Sequence, residues 1–265
     1  SHIYNISNYL LRGNYLLLNL IYSQAAKKAI TKINTIFKNL NIVCPIFFLK
    51  GDGALATINT ILSSPISTWF SEYTGKIIGS TYVTNNSNSI VISNNNDDIL
   101  ASGVKNLLPI LTYEFSNFFG FRIPNFFPRS IHMSNIESPK NIKDILSHVI
   151  MKEDDFLPII NLTSTNKLSS LTNPIIHISN TTNLACIGAS IANYKTEFIS
   201  IVFNTNEARN NLEKEKLLKK ANIFIKDNKI VLRNINYKFE IIPLKYMIHN
   251  SCYIKLILEG KIGNN

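Results

Sequence analysis

The residue types closest to chemistry stand together at Lys50-Gly51-Asp52-Gly53. A glycine-rich turn between a strand and a helix exposes backbone N–H groups suited to an anion. Residues 41–49 form a continuous apolar run of strand length, and residues 54–58 have helix-forming character, so strand, turn and helix start are expected to be contiguous. The same four residues also fit a tight turn in which Asp52 bonds locally through its side chain. A second candidate is Asp97 and Asp98, which follow an expected strand at residues 89–92. Carboxylates at the carboxyl end of a strand are natural partners for Mg²⁺ and a phosphate. The competing reading is a solvated Asn/Asp turn. The five histidines, His2, His132, His148, His177 and His249, show no i, i+4 pair, and each is expected at the surface or as a satisfied core residue. No serine sits in a Gly-x-Ser-x-Gly elbow, so a serine hydrolase has no support.

The elements that must position these residues are expected to alternate. Apolar residues at Leu16, Leu20, Ile21, Ala25, Ala29, Ile33, Ile36, Phe37 and Leu40 recur at helical spacing and predict one long amphipathic helix over residues 9–40. Residues 74–83 carry Gly75, Gly79 and Ser80, small enough to let a helix approach its neighbour closely. Strands are expected at 89–92, 156–162, 174–178 and 198–203, helices at 184–194 and 207–225, a loop at 124–139, and a β-rich region at 229–259. This alternation predicts an α/β layer architecture, divided as an α/β domain over 1–197 and a small β-rich C-terminal segment over 198–265.

Composition limits the partners. The 265-residue chain is 45% hydrophobic and 17% charged, which is enough apolar material for a sizeable core. Its net charge of +10 invites a nucleic-acid reading, but with 42 Ile, 36 Asn and 22 Lys against 5 Arg the excess follows an AT-rich codon bias. The densest basic stretch, residues 213–220, alternates acids with bases as a solvated helix face does. Nucleic acid is therefore not the expected partner. Asn19, Gln24 and Lys27 interrupt the longest apolar stretch, so no membrane helix is expected. Three widely spaced cysteines, Cys44, Cys186 and Cys252, form no disulfide framework, and the expected location is cytoplasmic. The chain opens at Ser1 without a Met, and a fragment boundary is the expectation there.

In order along the chain, several segments carry a resemblance. These are Arg12-x-Asn14 with Asn19; Phe48-Leu-Lys-Gly-Asp-Gly-Ala-Leu55; Pro65-Ile-Ser-Thr-Trp-Phe-Ser71 followed by Gly79; Ala185-Cys-Ile-Gly-Ala-Ser190; and Pro243-Leu-x-Tyr246. In this order and spacing the chain resembles the second half of the ATP-dependent subunit of the hydantoinase/oxoprolinase family. That resemblance implies an α/β fold with an actin-like ATPase (ribonuclease H-like) lobe. It also implies ATP with Mg²⁺ as cofactors, a cyclic amide such as a hydantoin or 5-oxoproline as substrate, and a partner subunit or missing N-terminal domain that completes the site. Within it, Lys50, Gly51, Asp52, Gly53, Asn94 and Asn96 would line the nucleotide or substrate site, Ser71 would contact substrate or phosphate, and Asp98 would help place Mg²⁺. Departures accompany the likeness. Where the family reads Asp-x-Gly-Gly-Thr-x-Thr-Asp, this chain has Val91-Ile-Ser-Asn-Asn-Asn-Asp-Asp98 and keeps only the last acid. A side chain at each former glycine occupies space a phosphate oxygen would need. The alternative expectation is a catalytically inactive scaffold or partner-binding subunit whose nucleotide site has decayed.

Overall fold

A computed structural model describes residues 9–95, 98–111, 115–118, 121–124, 128, 130–132, 157–163, 173–244 and 250–263. The first helix, α1, spans Tyr9–Asn39, close to the expected bounds. Its buried face is a different one from the predicted stripe. Leu11, Tyr15, Leu18, Asn19 and Ile30 are buried, whereas Leu20 is 70% exposed and Leu40 63%. The first half of α1 is apolar nearly all round, so periodicity alone does not select a face. Polar partners help select it. Asn19 Oδ1 accepts the Ile66 N–H at 3.0 Å and its Nδ2 donates to the Tyr15 carbonyl at 2.9 Å, while the Tyr15 hydroxyl meets that of Ser64 at 3.0 Å.

The next segment corrects the strand–turn–helix expectation. Of residues 41–49 only Phe47–Leu49 form a strand, β1, and it is half-buried. Leu55–Thr57 form a second strand, β2, antiparallel to β1, with Leu49 opposite Leu55. The helix α2 starts only at Ile58 and ends at Ser63. Ala and Leu are good helix formers, but burial of Leu55, Ala56 and Thr57 in a sheet overrides that preference. A 3₁₀ turn at Pro65–Thr68 leads into α3, Ser71–Val83.

Two mixed sheets follow. The first contains β3 (Ser89–Asn95), β4 (Asp98–Lys105), β5 (Leu108–Pro109), β8 (Ser130–His132), β9 (Ile159–Asn161) and β10 (Ile175–His177). Its order is β10-β9-β3-β4-β5, with β8 also on β4. Strands β3, β9 and β10 run parallel, and β4 is antiparallel to β3. The polar cluster expected to end the strand at residue 92 instead extends β3 to Asn95. Strands β6 (Phe115–Phe118) and β7 (Phe121–Pro124) form a separate antiparallel pair.

The second sheet takes in α4 (Leu184–Ile191) on its approach and contains β11 (Tyr194–Val202), β12 (Leu232–Pro243) and β13 (Cys252–Ile262), with α5 (Glu207–Asp227) between β11 and β12. Its order is β1-β2-β11-β13-β12. The position 197/198 therefore falls inside β11, in a sheet shared by residues from both ends of the chain. Tyr194, Ile254, Leu256 and Leu258 pack on Leu217 and Ala221 of α5. Tyr73 and Ile77 of α3 pack on Val91, Leu100 and Ile160 of the other sheet. Helices α3 and α4 touch backbone to backbone through Gly75, Gly79 and Gly188, as the small residues of the 74–83 segment predicted. Among the described residues no helix is long and apolar enough to cross a membrane.

Candidate functional site

The turn Lys50-Gly51-Asp52-Gly53 joins β1 to β2 and spends its polar groups internally. The Lys50 N–H donates to the Ala54 carbonyl at 2.8 Å, Gly53 N–H to the Lys50 carbonyl at 3.1 Å, and Gly51 N–H to the Ser67 carbonyl at 2.8 Å. Asp52 accepts the Ala54 N–H at 3.0 Å and the Lys50 ammonium at 2.8 Å. Thr74 of α3 donates its hydroxyl to the Gly51 carbonyl at 2.8 Å. Gly53 has φ +85° and lies against Ile78, so this position calls for glycine on both conformation and space. Asp52 thus makes the local side-chain bond of the tight-turn alternative, and Thr74 clamps the turn onto α3. Ser71 is the first residue of α3 and is half-buried.

Asp52 also lines a groove of about 380 Å³ over the polar face of the second sheet, with Lys195, Glu197, Lys238, Glu240 and Lys255 among its walls. Lys255 meets Glu197 at 2.8 Å and Lys238 meets Glu240 at 2.8 Å. The hydrogen bond from Lys238 holds the Glu240 carboxyl below its ordinary range. Burial pushes the Tyr253 hydroxyl up to about 12, and the nearby Glu197 and Glu240 add to that. The first pair spans β13 and β11, the second lies within β12, and Lys255 also approaches Glu240 at 3.9 Å, so their chemistry is that of a charge ladder.

The other polar centre lies where the first sheet changes direction. Strand β3 has a parallel neighbour on one side and an antiparallel one on the other, and crevices outside the carboxyl ends of such strands are where α/β sheets bind ligands. Ile92 of β3, Asn161 of β9 and His177 of β10 are aligned across this end. Asn161 is 0% exposed. Its Oδ1 accepts the Thr163 N–H at 3.0 Å and the Thr163 hydroxyl at 2.8 Å, and its Nδ2 meets His177 Nδ1 at 3.2 Å. Asn94 pairs with Ile99 and Asn95 with Asp98, which places Asn94 and Asp98 at this same end. Asn96 and Asp97 lie outside the described residues.

Strand register therefore puts the backbone of Asn94 and Asp98 at the same end of the sheet as Asn161, Thr163 and His177, with the glycine turn at the other end. Leu108, whose side chain lies against Gly53, pairs with Lys105 at the far end of β4 from Asp98. A strand of that length spans about 23 Å. Among the described residues no group of three His, Cys, Asp or Glu side chains could hold a metal ion. Mg²⁺ with a nucleotide needs fewer protein ligands, since one or two carboxylates join the phosphate oxygens.

No family model matches the sequence, and no curated protein is detectably similar to it. Solved structures do match. The crystal structure of an ATP-dependent caprolactamase from Pseudomonas jessenii superposes with a TM-score of 0.59 at 9% identity, covering 96% of this chain and 58% of that one. The nucleotide-free structure of an acetone carboxylase, described for ATP-dependent acetone carboxylation, superposes with a TM-score of 0.67 at 10% identity, covering 98% of this chain and 59% of that one. The fold is shared. The chain spans a little under three fifths of the length of each protein.

What sequence reasoning missed is the juxtaposition of Asn161, Thr163 and His177. His177 was expected to be a surface or satisfied core histidine, and it is exposed. A signal was present: Asn161 and His177 fall near the ends of the two strands expected at 156–162 and 174–178. Only the parallel register of β9 and β10 places them side by side.

Proposed function

We propose that this chain is the nucleotide-binding α/β lobe of an ATP-dependent enzyme acting on a cyclic amide, with an actin-like arrangement. The observation that carries the reading is the placement of Asn94, Asn161 and His177 toward the carboxyl ends of β3, β9 and β10, with Asp98 opening β4 at the same edge, beside the switch in strand direction. The two solved structures of like fold support it, because both are described as ATP-dependent. ATP, when bound, would supply the phosphoryl group that activates an amide oxygen; overall, ATP, the cyclic amide and two waters would give ADP, phosphate and the ring-opened amino acid. In this chain Asp98 would hold Mg²⁺, and His177, held by the buried Asn161, would face the nucleotide. A second lobe or a partner subunit would close the other side of the site and bring the substrate.

The test is thermal unfolding with and without saturating Mg-ATP. Ligand at about 100 times its Kd adds about 2.7 kcal/mol, a rise in Tm of roughly 5–10 °C for a chain of this size. Asp98→Ala should abolish the rise. Asp52→Ala, at the other end of β4, should leave the rise intact whatever it does to the unliganded Tm. A cooperatively folded protein that shows no rise would sink the nucleotide reading and favour the inactive scaffold.

A further inference from the structure

Resting on the nucleotide reading, we infer that His177 is a ligand-contacting residue, presenting its Nε2–H as a fixed hydrogen-bond donor to an acceptor oxygen of the nucleotide. The argument begins at a buried amide. Asn161 Oδ1 accepts a backbone N–H from Thr163, and because a backbone N–H can only donate, the oxygen of this amide is identified. The Thr163 hydroxyl on the same atom agrees. The group facing the histidine is therefore the NH₂, and it can only donate.

His177 Nδ1, 3.2 Å from that nitrogen, must accept. A neutral imidazole that accepts at Nδ1 carries its proton on Nε2. The buried Asn161 thus selects one tautomer of an exposed ring at the end of β10, two strands from β3 and three from β4, which begins at Asp98. A surface histidine without such a partner would exchange between tautomers and carry its proton on Nε2 only part of the time. Here the donor is set before the ligand arrives, which lowers the ordering cost of binding. An Nε2–H donor suits a phosphate oxygen or a ribose hydroxyl, and both belong to a nucleotide.

The experiment uses the full chain labelled with ¹⁵N-histidine. Long-range proton–nitrogen spectra read the protonation of both ring nitrogens, with His177 assigned by the loss of its signals in His177→Gln. The free protein should show Nδ1 bare and Nε2 protonated. Saturating Mg-ATP should move the Nε2 signal, and titrations with adenosine and with tripolyphosphate separate a ribose contact from a phosphate contact. His177→Leu should weaken Mg-ATP binding about tenfold, the worth of one hydrogen bond. His177→Gln, whose amide can donate from near the same place, should recover most of that loss. Mg-ATP binding with both nitrogens unmoved and unchanged affinity in His177→Leu would overturn the role of His177 while leaving the nucleotide reading standing. A proton on Nδ1 in the free protein would also overturn it. Absence of any Mg-ATP binding by the parent protein would remove both.

Discussion

Single residues show how tightly this fold accounts for its polar groups. Tyr73 is buried beneath α3, and its hydroxyl meets that of Ser102, which is 0% exposed, at 2.7 Å. Burial keeps the phenol from ionising. Tyr73→Phe removes one partner and strands the other, so it should cost about 1–3 kcal/mol in urea unfolding. Tyr73→Phe combined with Ser102→Ala should cost less than the two single changes added together, because no orphaned hydroxyl is left. Against the second sheet, Glu213 of α5 accepts from Ser200 of β11 at 2.7 Å and from Lys216 at 3.0 Å, and these bonds hold its carboxyl below the ordinary range. Folding therefore weakens its hold on a proton. The stability it adds is fully present above the unfolded glutamate value of about 4.3 and drains away as pH falls through the lower folded value. Stability curves of parent and Glu213→Gln should accordingly converge in acid and separate above about pH 5. A constant gap across that range would show that the carboxylate charge is not what contributes.

At the level of elements, the contact between α3 and α4 decides whether the α/β layer assembles. A Cβ on Gly79 would run into the Leu184 carbonyl oxygen, and one on Gly188 into the Gly75 carbonyl oxygen. Both obstacles are backbone, which cannot step aside without parting the helices. Gly79→Ala or Gly188→Ala should each cost at least about 3 kcal/mol, the upper end of overpacking, read as a fall in the urea midpoint. Gly13 is the contrast. It sits within α1 with nothing near its missing Cβ, so Gly13→Ala should stabilise by about 0.5–1 kcal/mol. Equal effects at the three positions would mean that helix propensity, and not close approach, dominates.

For the molecule as a whole, the second sheet ties the ends of the chain together. Strands β1 and β2 come from the first quarter of the sequence and lie beside β11, which pairs along its full length with β13. Tyr194, at the start of β11, is among the largest fully buried side chains. Residues 198–265 alone would lack Tyr194, half of β11 and the β1–β2 edge. That piece should show no cooperative thermal transition by circular dichroism, whereas the full chain should. A sharp transition in the piece would establish it as an independent unit.

The sequence by itself determined the local elements. The charged helix at Glu207–Asp227, the run at Tyr9–Asn39 and the alternation of buried and half-buried residues along Cys252–Ile262 all follow from the spacing of near neighbours. Tertiary structure decided which face α1 buries, because an apolar ring of residues leaves that choice to the Asn19 and Tyr15 hydrogen bonds. It turned residues 54–58 from helix into strand and helix start, since pairing with β1 outweighs the small propensity differences that sequence expresses. It also separated the glycine turn from Asp98 and joined Asn161 to His177. Those relations depend on strand register and direction, which are set by burial between segments distant in sequence, so no local pattern carries them.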